Sequence, residues 1–151
     1  MHFRFRFRTV IGLAAVAFGT APLTAQDTLA SDTTQAIEEA TAAALAWLEL
    51  VDAGEHAASW DSAATSFKRV VGKSDWESAV QQARGQFEPF GARTVSSSQY
   101  TTSIPNAPPG EYVVLQFRTA VAGGRHVTET VVPMREADGT WRVSGYFVRP
   151  E

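Results

Sequence analysis

Asp61 and Glu129 are the candidate carboxylates for acid/base chemistry. A small isomerase or dehydratase would need one of them buried beside a cavity, with a raised pKa, to act as general base. The nearest titratable partner of Asp61 is His56. Five residues apart on a helix, the two are rotated by about 140° and do not share a face. Asp61 is therefore expected in a structural or solvated role, with His56 on the surface near a helix start. Asp52 and Glu55, in the same segment, are dispersed by the same geometry.

A metal centre needs three or four converging His, Cys, Asp or Glu ligands. Past residue 25 the only histidines are His56 and His126, no paired-carboxylate spacing occurs, and the chain has no Cys. No metal and no cofactor is expected, and thiol catalysis, a disulfide framework and an iron–sulfur cluster are excluded. Neither a Gly-x-Ser-x-Gly elbow nor a glycine-rich phosphate loop is present, so hydrolases and nucleotide binders lack their usual signatures.

The strand-forming half offers a second kind of chemistry. On one extended run Tyr112, Gln116 and Arg118 share a face, while Val113, Leu115 and Phe117 form the more apolar face expected to meet the helices. On the next run Glu129 alternates with Val127 and Val131, which makes Arg118 and Glu129 expected cross-strand neighbours. Tyr112, Gln116, Arg118, Glu129 and Tyr146 are thus the candidate ligand- or partner-binding residues. An Arg118–Glu129 pair on a solvated face would contribute only a few tenths of a kcal/mol. Inside a cone it would become a polar anchor.

The elements that must position these residues are legible as periodicities. Ile37, Ala40, Ala44, Trp47, Leu48 and Val51 step by three and four, predicting a helix that opens at one of Asp32, Thr33 or Thr34 and stops at Gly54. Ala57, Trp60, Ala64, Phe67 and Val71 predict a second helix running from about Glu55 to Gly72. Ser74 and Glu77 form a capping box for a third, with Trp76, Val80, Ala83 and Phe87 on its buried stripe and Pro89 and Gly91 as its stop.

After Phe90 the period changes. Residues 94–102 read as a polar edge strand and 104–110, with three prolines, as a loop; strands follow over 111–120, 126–135 and 140–148, separated by glycine turns. The expected fold is α+β: three N-terminal helices on a curved, cone-like antiparallel sheet of about four strands. Trp47, Trp60, Trp76, Trp141, Phe67, Phe87 and Phe147 are expected in its core. Gly145, inside the last strand, marks an expected bend.

The first 25 residues carry Arg4, Arg6 and Arg8, a short apolar run over 10–18 and a small-residue stretch ending at Ala25. They are expected to be a secretory signal peptide cut before Gln26, making the product exported, periplasmic or secreted. The apolar run is too short to span a bilayer. Residues 26–33 are expected as a flexible leader and 34–151 as one domain. Without the signal segment, the 13 basic and 16 acidic residues become 10 and 16. That acidic balance, with no Lys/Arg cluster, argues against nucleic acid and anionic membranes as partners.

The turn from Trp47 through Gly54, the continuation from Ala57 to Lys68, the stretch Gly110-Glu111-Tyr112-Val113-Val114 and the ending from Trp141 to Phe147 together resemble the bacterial exported family called domain of unknown function 4019. The resemblance implies a small secreted α+β domain and carries no activity with it. The order of helices then sheet also resembles the cystatin-like or nuclear-transport-factor-2-like cone, in topology alone. The leading expectation is a non-catalytic binding module that takes a partner protein or a small apolar ligand through its sheet. The cone-fold isomerase or dehydratase is the alternative, and pairing through the sheet into a homodimer is the third.

Overall fold

The computed structural model describes the backbone of residues 25–151 and the side chains of residues 29–151. The expected signal peptide, apart from Ala25, lies outside the described residues. Helix α1 spans Ala25–Asp52, α2 His56–Ser62, α3 Thr65–Val70 and α4 Lys73–Arg84. Strands β1 Arg93–Thr101, β2 Tyr112–Val121, β3 Arg125–Arg135 and β4 Trp141–Pro150 follow. The strands form one antiparallel sheet in sequence order, so each pairs with its chain neighbours. The helices pack on one face. The α+β class and the four-stranded antiparallel sheet are as the periodicities imply.

Helix α1 begins well before the caps at Asp32–Thr34 and runs through the segment expected as a leader. Once a helix is nucleated each added residue gains a hydrogen bond, so a polar extension needs no packed partner. Residues 29–32 are exposed accordingly. Further along, Ala36, Ala40 and Ala44 let the helix approach the sheet closely, and Trp47, Leu48 and Val51 fill the space beyond them. Gly54 closes the helix at φ +74°, with the Glu55 N–H returning to the Leu50 carbonyl at 2.9 Å.

The single second helix expected over 55–71 is two short helices. Ala63 and Ala64 are extended, with ψ of 165° and 148°. The reason lies in the sheet: the Ala64 N–H donates to the Val143 carbonyl at 2.8 Å, and both alanines are fully buried. Docking the backbone on β4 takes precedence over one more helical turn.

Helix α4 also departs from its signals. Gly72 occupies the cap position and no side chain caps the helix, so Ser74 and Glu77 do not form the box. The buried stripe is Trp76, Val80 and Arg84, and Ala83 is exposed. Phe87 is buried beyond the helix end, against Val121 and Val127.

On β2 the inner face is Val113, Leu115, Phe117 and Thr119; on β3 it is Val127, Glu129 and Val131. The register places Arg118 opposite Thr128 and Phe117 opposite Glu129. The expected Arg118–Glu129 pair is therefore absent, the two lying on opposite faces. With a side-chain period of two, a register one residue away reverses every facing. The bend expected at Gly145 falls at a register shift, where Ser144 is an extra residue in β4 opposite Val132 and Pro133.

Candidate functional site: an ionic clasp beneath an apolar cleft

The C-terminal ends of α1 and α4 converge on the inner face of the sheet and bring Asp52 and Arg84 to Glu129. Arg84 donates through Nη2 to Asp52 Oδ1 at 2.6 Å and through Nη1 to Glu129 Oε1 at 3.1 Å. Arg93, at the start of β1, bridges the same two carboxylates, its Nε reaching Glu129 Oε2 at 2.6 Å and its Nη2 reaching Asp52 Oδ1 at 2.8 Å. Thr119 donates to Glu129 Oε2 and the Tyr146 hydroxyl to Oε1, each at 2.6 Å. The Phe90 ring lies 3.5 Å beneath the Arg84 guanidinium.

Six segments meet in this clasp: α1, α4 and all four strands. Arg84 and Glu129 are almost completely buried, a placement that costs several kcal/mol per ion unless each charge is paired and hydrogen-bonded. Here the pairing is complete. Among the described residues no buried side-chain nitrogen or oxygen lacks a partner. Burial pushes the Asp52 pKa up, but Arg93 and Arg84 outweigh it and hold the group below its usual value. For Arg93 burial works downward and the two carboxylates override it. Tyr146 is pushed well above a normal phenol by burial and by the Glu129 charge beside it.

Glu129 accepts five hydrogen bonds, from Arg84, Arg93 twice, Thr119 and Tyr146. Both of its oxygens are taken up by these donors, so neither offers a free lone pair to a ligand. Asp61 is exposed and paired with Lys73 at 2.7 Å. Neither carboxylate faces a cavity as a free base.

The expected binding set is divided by the fold. Glu129 and Tyr146 are brought together, whereas Gln116 and Arg118 lie on the opposite sheet face, where Arg118 pairs with Glu151 at 3.0 Å. Tyr112 is buried, its hydroxyl donating to the Pro108 carbonyl at 2.6 Å. Asp52, Arg84 and Arg93 were not expected here. The signal for Arg84 was present: it stands at the next step of four after Trp76 and Val80. For Arg93, three residues past Phe90 in a stretch without period, the sequence holds no comparable signal.

Tyr146 joins the clasp to a second feature. Its ring packs against Trp47 at 5.4 Å and Trp76 at 6.1 Å, and Phe67 meets Trp76 edge-on at 5.3 Å. The indole N–H groups of both tryptophans are satisfied by Ser59, Trp47 through the carbonyl at 2.8 Å and Trp76 through the hydroxyl at 2.9 Å. Over this aromatic floor lies a cleft of about 400 Å³ between α3, α4, the 106–108 loop and the 144–147 stretch of β4. Its lining includes Phe67, Val70, Val71, Trp76, Tyr112 and Phe147, with no charged side chain. Val70 is 85% and Phe147 65% exposed, so the mouth is apolar as well. Phe147, expected in the core, belongs to this surface.

Among the described residues no group of three or more His, Cys, Asp or Glu is placed to hold a metal ion, and no helix is long and apolar enough to cross a membrane. No curated protein and no solved structure matches the chain. One family model does, over residues 43–146, from the last turns of α1 to Tyr146. That span contains Asp52, Arg84, Arg93, Thr119, Glu129 and Tyr146, together with nearly all of the cleft, and the chain belongs to the family described as protein of unknown function DUF4019.

Proposed function

We propose that this chain is an exported, non-catalytic binding module, and that its site is the apolar cleft along β4. One observation carries the reading: Val70 and Phe147, two of the few large hydrophobic side chains left exposed, stand together at the mouth of an uncharged, aromatic-floored cleft. Its volume of about 400 Å³ falls in the range of small-ligand sites, roughly 300–1,000 Å³. Clustered exposed apolar groups of this kind mark binding surfaces. Export rests on the basic, apolar and small-residue pattern of residues 1–25. The isomerase or dehydratase reading needs a carboxylate with a free lone pair facing the cleft, and the saturation of Glu129 weighs against it.

Ala79 is exposed on α4 and lines the cleft, so Ala79→Phe fills the site while leaving the core untouched. Titration with the neutral fluorophore N-phenyl-1-naphthylamine is expected to show saturable one-to-one binding that weakens at least tenfold in Ala79→Phe. Absence of saturable binding, or equal binding by the filled variant, overturns the proposal.

A further inference from the structure

The free edge of the sheet indicates what kind of occupant the cleft suits. The strands run in the order β1-β2-β3-β4, so among the described residues one side of β4 has no neighbouring strand. The only backbone hydrogen bond that reaches β4 there from beyond β3 is the one from the Ala64 N–H to the Val143 carbonyl. Ala63 and Ala64 are extended, so the chain makes one rung of a further strand before it turns into α3. Past Val143 the edge is open. The Glu151 N–H donates to the His126 carbonyl, so residue 151 faces β3. In the unbroken register from Gly145 to Pro150, alternation turns Phe147 and Arg149 the same way and turns Tyr146 and Val148 outward. Tyr146 and Val148 therefore present N–H and C=O groups away from the sheet. Pro150, with no N–H, ends the open stretch.

The cleft runs along this same edge, since Ser144, Gly145, Tyr146 and Phe147 line it. Its other walls come from both faces of the sheet. Trp76 and Tyr146 pack in the core of the inner face, whereas Tyr112 and Phe147 alternate with inner residues and stand on the opposite face. A groove walled on both faces of an unpaired strand has the cross-section of one more strand. We infer that the cleft takes an extended segment of a partner polypeptide, which adds to β4 between Val143 and Pro150. Its backbone bonds to Tyr146 and Val148, and its apolar side chains, at alternate positions, sit among Trp76, Ala79 and Phe147. This inference rests on the cleft being a binding site and adds the class of what binds. A small apolar ligand would cover the walls and leave the edge groups to water. An extended chain brings N–H and C=O groups at the spacing that the edge requires. The β4 strand of a second copy arrives with walls of its own, and a lone segment does not.

The probes are capped hexapeptides in which threonine alternates with valine, leucine or phenylalanine, titrated by calorimetry. At least one is expected to bind one-to-one and to displace the neutral fluorophore. Methylating its backbone nitrogens at every second residue removes the donors of one edge. Of the two alternate sets, one is expected to weaken binding about tenfold, as the loss of two backbone hydrogen bonds would, and the other to leave it nearly unchanged. Val148→Pro takes the outward N–H from the protein and no bond from the ladder, and is expected to weaken the same peptide about tenfold, since the ring also obstructs the edge. Val148 lies outside the cleft lining, so fluorophore binding checks that the cleft of the variant is intact. Equal affinity of the two methylated sets overturns the inference, as does a variant with an intact cleft that binds the peptide like the wild type. Fluorophore binding without binding of any peptide also overturns it and leaves the cleft as a small-ligand site. A dimer of the free chain that Val148→Pro dissociates overturns it by giving the edge to a second copy. Failure of the fluorophore and of every peptide removes the cleft reading itself.

Discussion

Arg84 and Glu129 meet 3.1 Å apart with both side chains sealed from solvent, joining the end of a helix to the middle strands of the sheet. Such a pair is more informative about specificity than about net stability, because its attraction is largely offset by the cost of taking both charges out of water. Removing one member is another matter.

Glu129→Ala would take from Arg84 and Arg93 the one fully buried carboxylate they share, leaving both to the part-exposed Asp52. A loss of about 3–5 kcal/mol is expected, read as the shift in urea midpoint multiplied by the slope. Replacing both partners, as Arg84→Met with Glu129→Leu, is expected to cost less than either single change. A double variant as unstable as the sum of the singles would mean that the two side chains are not coupled and would contradict the pairing.

Asp52 sets the acid limb. Its folded pKa lies below the 3.8 of the free group, so the unfolded chain takes up the proton first as pH falls. The stabilisation is complete above that ordinary value and is lost as pH drops through it towards the lower folded one. Urea midpoints measured from pH 7 down to about 3 are expected to fall more steeply for the wild type than for Asp52→Asn. Parallel curves would contradict the assignment.

Tyr146 acts at the other end of the scale. Its folded pKa is raised, so its contribution is whole below the ordinary phenol value of 10.0 and declines as pH rises beyond it, where only the unfolded chain gives up the proton. Tyr146→Phe is expected to flatten the alkaline fall in thermal midpoint. It should also lower stability at neutral pH by about 1–3 kcal/mol, since Glu129 and Arg84 each lose a buried hydrogen-bond partner.

Ser59→Ala removes the hydroxyl that accepts the Trp76 indole N–H and keeps the carbonyl that accepts Trp47. A buried donor left unpaired costs about 1–3 kcal/mol. A melting temperature unchanged within error would mean that the Trp76 indole finds another acceptor.

The order and type of most elements were legible because each repeats its apolar residues at the period of its own geometry. What was not legible depends on distant partners. The break at Ala63–Ala64 is set by the Val143 carbonyl, some eighty residues on, and nothing local marks it. Glu129 was placed with Val127 and Val131 on one strand face, and that alternation holds. Its partner was mistaken because register across a hairpin is not a property of either strand alone. Asp52 was read only as dispersed from the other polar residues of its segment, and its partners went unseen for a related reason. Helical geometry separates it from Glu55 and His56 but cannot reveal that Arg84 and Arg93 arrive from elsewhere. The cleft was foreseen only as a use of the sheet, since Phe147 read as a core residue and Val70 falls outside the expected stripe of its helix, with no signal until its exposure is known.

The packing of α1 against β4 bears on the order in which the molecule can be made. Trp141, at the start of β4, donates to Glu39 of α1 across 102 residues of sequence. The strands pair only with chain neighbours, so each hairpin can close soon after it leaves the ribosome. Part of the apolar stripe of α1 is covered early by α2, whose Ser59 carbonyl accepts from Trp47, but its cover by β4 comes only with the last strand. Until then the nascent chain carries that part of the stripe unshielded through nearly the whole of its own translation.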